Sequence, residues 1–276
     1  QLLPNNRTRS LSIFMLGGSC GLTLGPLISG AVVREWGLEG LIYLLPGFLV
    51  LVPILAMGVR GKEQGDVSEA TNLPRAGLRE MFSGRIGLAG AVLAVCSLRL
   101  VPNMAMAKVV SFTLADRGFD TLEIGLVQSM FLGAASVGMG MMALFFPAGW
   151  ERRFMIGCPM MGLPLLVVLG TGECPTWLFV ATLVPSGFVL WGTAPAMVSY
   201  AQQLFPRGAG MASAITMGLA WGGGGLIESG ITAYYREMQT PQRAFYAFLP
   251  FLAASVVGAW LLPQPVAEPR GNVEGE

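Results

Sequence analysis

Apolar residues in this chain come in long runs and rarely alternate with polar ones. A helix needs about 20 apolar residues to cross a hydrocarbon core of roughly 30 Å. Eight runs qualify, at approximately 10–33, 40–59, 86–114, 122–147, 154–171, 177–199, 209–233 and 244–262. Short polar turns separate them, except at 60–85. That segment carries Arg60, Lys62, Glu63, Asp66, Glu69, Arg75, Arg79, Glu80 and Arg85, and it is too polar to insert. It reads as a loop between two bundles, with two spans within 1–59 and six within 86–276. The pattern predicts an all-α integral membrane protein of about eight transmembrane helices, since helices satisfy their own backbone groups in lipid.

A signature occurs twice. Gln1-Leu2-Leu3-Pro4 opens the chain, and Gln203-Leu204-Phe205-Pro206 recurs 202 residues later. Each leads at the same offset into a Gly-rich apolar run, through Met15 in one and Met217 in the other. Six spans fit within one period, and a six-span unit used twice makes a twelve-span transporter. The expectation is therefore spans five to twelve of an N-terminally truncated twelve-span fold. Residue 1 is Gln, and a polar stretch with Arg7 and Arg9 leads straight into a span, like the interior of a longer protein. A natural eight-span protein with a coincidental repeat is the competing reading.

Composition agrees with the bilayer as solvent. Of 276 residues, 53% are hydrophobic and 12% charged, against about 25% charged in soluble domains. Mean hydropathy is +0.62. The net charge of +1 gives no indication of a nucleic-acid partner. The chain has no histidine, which removes the commonest metal ligand and the usual neutral-pH proton carrier. Cys20, Cys96 and Cys158 fall in apolar runs and Cys174 in a turn, so no disulfide framework or zinc site is indicated. No metal and no cofactor is expected.

Basic residues set the orientation. On one side of the membrane lie Arg7, Arg9, Arg60, Lys62, Arg75, Arg79, Arg85, Arg152, Arg153, Arg207 and Arg270. On the other lie Arg34, Arg117, Arg236 and Arg243. The richer side is expected to be cytoplasmic, with both termini and the 60–85 loop.

Three places carry candidate chemistry. In the first run, Gly17, Gly21 and Gly25 are spaced by four and line one helix face, followed by Pro26 and Gly30. Small residues at that spacing allow close helix approach, and a proline bends a helix, so the stretch reads as a packing motif and a conformational hinge. Arg99 sits near the middle of its run, with Asn103 one turn on and on the same face. A charge at bilayer depth costs at least about 2.5–3.5 kcal/mol, so it should face a polar cavity or a partner. Arg99 and Asn103 are expected to line a pathway and meet an anionic substrate or a proton-carrying carboxylate. The alternative is a structural Arg hydrogen-bonded to backbone carbonyls. Lys108 lies near the end of the same run, and a headgroup-snorkelling role is expected for it. Glu228 is the one carboxylate well inside a run, just after Gly222–Gly225, and is the proton-coupling candidate.

The residues also carry a resemblance. Gly21-x-x-x-Gly25-Pro26-x-x-x-Gly30 resembles the fifth-span motif of major facilitator superfamily antiporters. Ser12-Ile13-Phe14-Met15-Leu16-Gly17-Gly18 followed by Gly25-Pro26-Leu27 is similar to the fosmidomycin-resistance branch. So are Tyr200-Ala201-Gln202-Gln203-Leu204-Phe205-Pro206 with Gly210-Met211-Ala212-Ser213, and the Phe248-Leu249-Pro250 and Leu261-Leu262-Pro263 pieces. The superfamily usually carries Asp-Arg-x-Gly-Arg-Arg in the inner loop that here reads Ala148-Gly149-Trp150-Glu151-Arg152-Arg153. Arg152 and Arg153 remain, Ala148 stands at the Asp position and Glu151 at that of the Gly, leaving a remnant of the family's gating loop.

The resemblance implies a secondary active transporter and not an enzyme: a proton-coupled exporter of small drug-like molecules that works by alternating access. Its partners would be the lipid bilayer, the small-molecule substrate and protons, and a monomer in a bacterial inner membrane is the implied form. Two other readings stay open, a non-transporting truncated remnant and a membrane-embedded enzyme.

Overall fold

The computed structural model of the chain describes residues 7–47, 49, 53, 85–145, 147, 149–172 and 174–264. Among them there is no strand. The helices are α1 (Arg7–Trp36), α2 (Ile86–Asp116), α3 (Thr121–Phe145), α4 (Glu151–Gly170), α5 (Thr176–Gly192), α6 (Ala194–Leu204), α7 (Ala209–Ala214), α8 (Ala220–Glu237) and α9 (Ala244–Leu261). A short apolar helix, Leu38–Gly47, follows α1 and begins as a 3-10 turn at Leu38–Leu44.

Six helical segments among the described residues are long and apolar enough to span a membrane. They are Met15–Trp36, Ile86–Asp116, Thr121–Met142, Glu151–Gly170, Thr176–Leu204 and Pro241–Leu261. Half of the expected 40–59 span, and the 60–85 loop except Arg85, lie outside the described residues. The 209–233 run is helical throughout but compound. It consists of α7, a π-helical turn at Ile215–Leu219, and α8. Its glycines and Glu228 dilute its hydropathy.

The 177–199 run also differs from a single helix. It is α5 and α6 joined at Thr193. The cause lies in Gly192-Thr193-Ala194-Pro195. Proline donates no backbone hydrogen bond, so Pro195 leaves the Trp191 carbonyl, four residues earlier, without its helical donor.

Packing follows the small residues. α1 lies chiefly against α3, α3 against α5, α4 against α9, and α2 against α8 and α9. Between helices immersed in lipid, association rests on close van der Waals contact. At the α1–α3 seam, a Cβ on Gly30 would stand 2.6 Å from the Thr121 carbonyl oxygen. One on Gly125 would overlap the carbonyl oxygen of Pro26. Farther along, Thr23 and Ser136 hydroxyls share a hydrogen bond of 3.0 Å. At the α2–α8 seam, a Cβ on Gly224 would lie 2.9 Å from that of Leu100. The four-glycine run is thus continuous helix that lets α2 come close.

The core has two main apolar clusters that meet along α2. One includes Val101, Met106, Val110, Phe131, Phe179, Leu190 and Phe248. The other includes Val92, Cys96, Leu100, Met155, Tyr200 and Ala259. Arg99 lies at the junction.

Candidate functional site

The middle of the bundle is organised around one backbone carbonyl. Leu190 is in the last turn of α5, where carbonyls have no intrahelical partner. Three side chains donate to its oxygen: Arg99 Nη2 at 2.8 Å, Asn103 Nδ2 at 3.2 Å and Thr193 Oγ1 at 3.3 Å. Irregular backbone at membrane depth persists where its polar groups are re-satisfied in this way. Arg99 is 1% exposed, and its Nε and Nη1 have no hydrogen-bond partner; nor does Asn103 Oδ1. The structure therefore brings Arg99 and Asn103 together, as their spacing predicts, but onto a main-chain oxygen. Next to this break, Trp191 meets Trp221 of α8 edge to face at 5.7 Å.

Toward the ends at which α2 and α8 finish lies a second polar group. Lys108 Nζ is 2.8 Å from Glu228 Oε2 and donates also to Ser229 Oγ at 3.2 Å. The other carboxylate oxygen, Oε1, accepts from Thr232 Oγ1 at 2.8 Å. The Glu228 side chain is 0% exposed and that of Lys108 51%. The sequence pattern puts Glu228 inside the bundle and Lys108 at the headgroups. The pair corrects that reading, because the glycine run seats α8 within reach of the lysine. One signal was available: Lys108 lies eight residues before the end of α2 at Asp116, and Glu228 nine before the end of α8 at Glu237.

At the opposite end of the bundle, the loop remnant forms a tie between helices. Glu151, buried at the start of α4, accepts from Gln203 Nε2 at 2.8 Å and Ser199 Oγ at 3.5 Å. Its charge also suits a helix N-terminus. Arg152 donates Nε to the Ala259 carbonyl at 3.1 Å and a second nitrogen to that of Trp260. Tyr200 Oη donates to the Pro263 carbonyl at 2.7 Å. Arg153 stacks on Trp150 at 4.6 Å. Glu151 and Arg152 thus hold the starts and ends of α4, α6 and α9 together.

The glycine motif of α1 is only partly engaged. Nothing described lies within 4 Å of a Cβ on Gly17, Gly21 or Gly25, so the close face expected from their spacing is open here. The closest backbone approach to α3 is instead at Pro26 and Gly30, one turn apart. Pro26 sits inside α1 without ending it.

Comparison with known proteins agrees with this architecture. The chain is 25% identical over 257 residues to the fosmidomycin resistance protein of Escherichia coli (strain K12), which covers 87% of this chain and 60% of that protein. The chain thus spans about 60% of that relative's length. The profile of the family described as Major Facilitator Superfamily matches residues 1–229. A helical membrane bundle that matches the profile over most of its length belongs to the major facilitator superfamily.

Proposed function

We propose that this chain is part of a secondary active transporter that exports small drug-like molecules in exchange for protons by alternating access. The observation that carries the coupling is Glu228, fully buried and neutralised by Lys108 at the edge of an open recess. An ionisable side chain inside a membrane bundle is expensive and marks ion or proton pathways. The relative's name, fosmidomycin resistance protein, supports a drug-like cargo.

In this reading residues 1–59 end one six-helix half, 60–85 link the halves, and 86–276 form the other half. Both termini and the link face the cytoplasm of a bacterial cell, and the transporter acts as a monomer. Arg99 and Asn103 sit on the pathway side of the α5–α6 break. The two unpartnered nitrogens of Arg99 would receive a hydrogen-bond acceptor of the cargo once that break opens. Pro26 and Gly30 form the seam about which the halves rock, and Glu151, Arg152 and Arg153 close the cytoplasmic end.

The test is Glu228→Gln in the full-length protein, reconstituted in vesicles with a pH gradient. Loss of gradient-driven export with the fold retained is the expected result. Export that still follows the gradient would end the assignment.

A further inference from the structure

Between α2 and α8 opens a recess of about 520 Å³. Lys108, Phe112, Ser229, Thr232, Arg236 and Glu237 line it. The Glu228 carboxylate lies out of solvent, while the half-exposed lysine that neutralises it lines the recess. The ammonium of Lys108 therefore stands between the recess and the buried acid. The recess wall already accepts one cation, because the Arg236 guanidinium lies 4.7 Å from the centre of the Phe112 ring.

We propose that Glu228 is a cation-exchange site at which the Lys108 ammonium, a proton and the protonated amine of an arylalkylamine ligand compete. The exchange against protons rests on the reading of Glu228 as the coupling carboxylate.

A buried carboxylate without a partner is costly, so it holds either a cation or a proton. Lys108 is a point charge on a flexible stem, and the recess gives it room to withdraw. An incoming primary amine takes over its hydrogen bonds to Glu228 Oε2 and Ser229 Oγ and lays its ring along the Phe112 wall. At the carboxylate one positive charge replaces another, while the Lys108 ammonium turns out into the open recess. Lys108 is the charge that faces Glu228 from α2, and α9 carries no charged residue. The other charges lining the recess, Arg236 and Glu237, offset each other.

The pair also sets the direction of coupling. When Glu228 takes a proton it no longer holds a cation, so proton uptake expels an amine and the two move in opposite directions. An anionic ligand would bind the freed Lys108 when Glu228 is protonated, and would travel with the proton. Exchange against protons at this site therefore selects a cationic cargo.

The test is equilibrium dialysis of radiolabelled benzylamine against the purified full-length protein, with wild type, Lys108→Met, Lys108→Arg and Glu228→Gln. Wild type should bind more weakly at low than at neutral pH. Lys108→Met should bind about tenfold more tightly, because the resident competitor is gone. Lys108→Arg, which keeps the cation, should resemble wild type, and Glu228→Gln should not bind. Equal affinity in wild type and Lys108→Met, or binding indifferent to pH in wild type, overturns the proposal. If Lys108→Met does not fold, the wild-type pH series and Glu228→Gln still decide. Where Glu228→Gln abolishes gradient-driven export but benzylamine ignores Lys108, the cation site fails and the coupling role stands. Where benzylamine competes as described but Glu228→Gln still couples, the coupling role fails.

Discussion

Gly125 of α3 stands so close to Pro26 of α1 that a single added methyl group would overlap the proline carbonyl oxygen. This contact and that of Gly30 with Thr121 lie side by side and bring two backbones together at one end of the α1–α3 seam. The only described ion pair near that end is Arg34–Asp120 at 3.5 Å, with both side chains about half exposed. Such pairs add little, so the seam depends on shape.

Gly125→Leu should therefore destabilise the protein by about 1–3 kcal/mol through overpacking. Gly157→Leu on α4 serves as the control, since nothing lies within 4 Å of a Cβ there. Thermal unfolding in detergent should show a clear drop for the first and a change of no more than about 0.5 kcal/mol for the second. Equal effects at both positions would mean that the α1–α3 seam is not close-packed.

Much of the architecture was legible in the chain, for a simple reason. In lipid a backbone must form helices and the helices must be long, so run length alone located the segments α1, α2, α3, α4 and α9. Breaks inside runs were harder. Pro195 after Gly192-Thr193 is a readable signal for the α5–α6 junction, but the π turn at Ile215–Leu219 leaves no comparable mark. Arg99 was legible as a buried charge with a backbone carbonyl among its expected partners, yet which carbonyl depends on the α5–α6 break, and no side-chain pattern on α2 reveals it. The Lys108–Glu228 pair joins residues 120 positions apart, so it depends on how α2 and α8 pack.

The tie at Glu151 separates shape from charge. In Glu151→Gln an acceptor oxygen remains for Gln203 and Ser199, whereas in Glu151→Ala the acceptor is lost. Glu151→Ala should cost about 1–3 kcal/mol. Glu151→Gln should cost only the helix-dipole part, about 0.3–1 kcal/mol. Limited proteolysis at the turn before α4, followed over time, should rank the variants Ala, Gln, wild type from fastest to slowest. A Gln variant cut as fast as the Ala variant would show that charge matters more than the hydrogen bonds.

Tyr200 gives a smaller effect at the same end. Its hydroxyl donates to the Pro263 carbonyl just beyond α9, while its ring is buried in the second core cluster. Tyr200→Phe removes the bond and keeps the packing, so a loss of about 1 kcal/mol is expected in thermal unfolding. Tyr200→Ala also leaves a cavity and should cost about 3–5 kcal/mol, in the range of other large aromatic truncations. A Phe variant as unstable as the Ala variant would mean that the hydroxyl, and not the ring, holds α6 to the end of α9.

Arg99 decides between holding the fold and serving transport. A stabilising arginine would use its donors, but here Nε and Nη1 are buried without partners. The Leu190 oxygen would keep Asn103 and Thr193 if the guanidinium were removed. Replacing a buried charge by an apolar group of similar volume is often neutral or stabilising. Arg99→Met should therefore leave the unfolding temperature unchanged or raise it. In the proposed transporter the same change should lower export more than tenfold, over about 1.4 kcal/mol of lost interaction. Both quantities are to be measured on one preparation of the full-length protein. A variant that loses stability and export in step would make Arg99 a structural brace of the α5–α6 break. A stable variant with full export would remove it from the pathway.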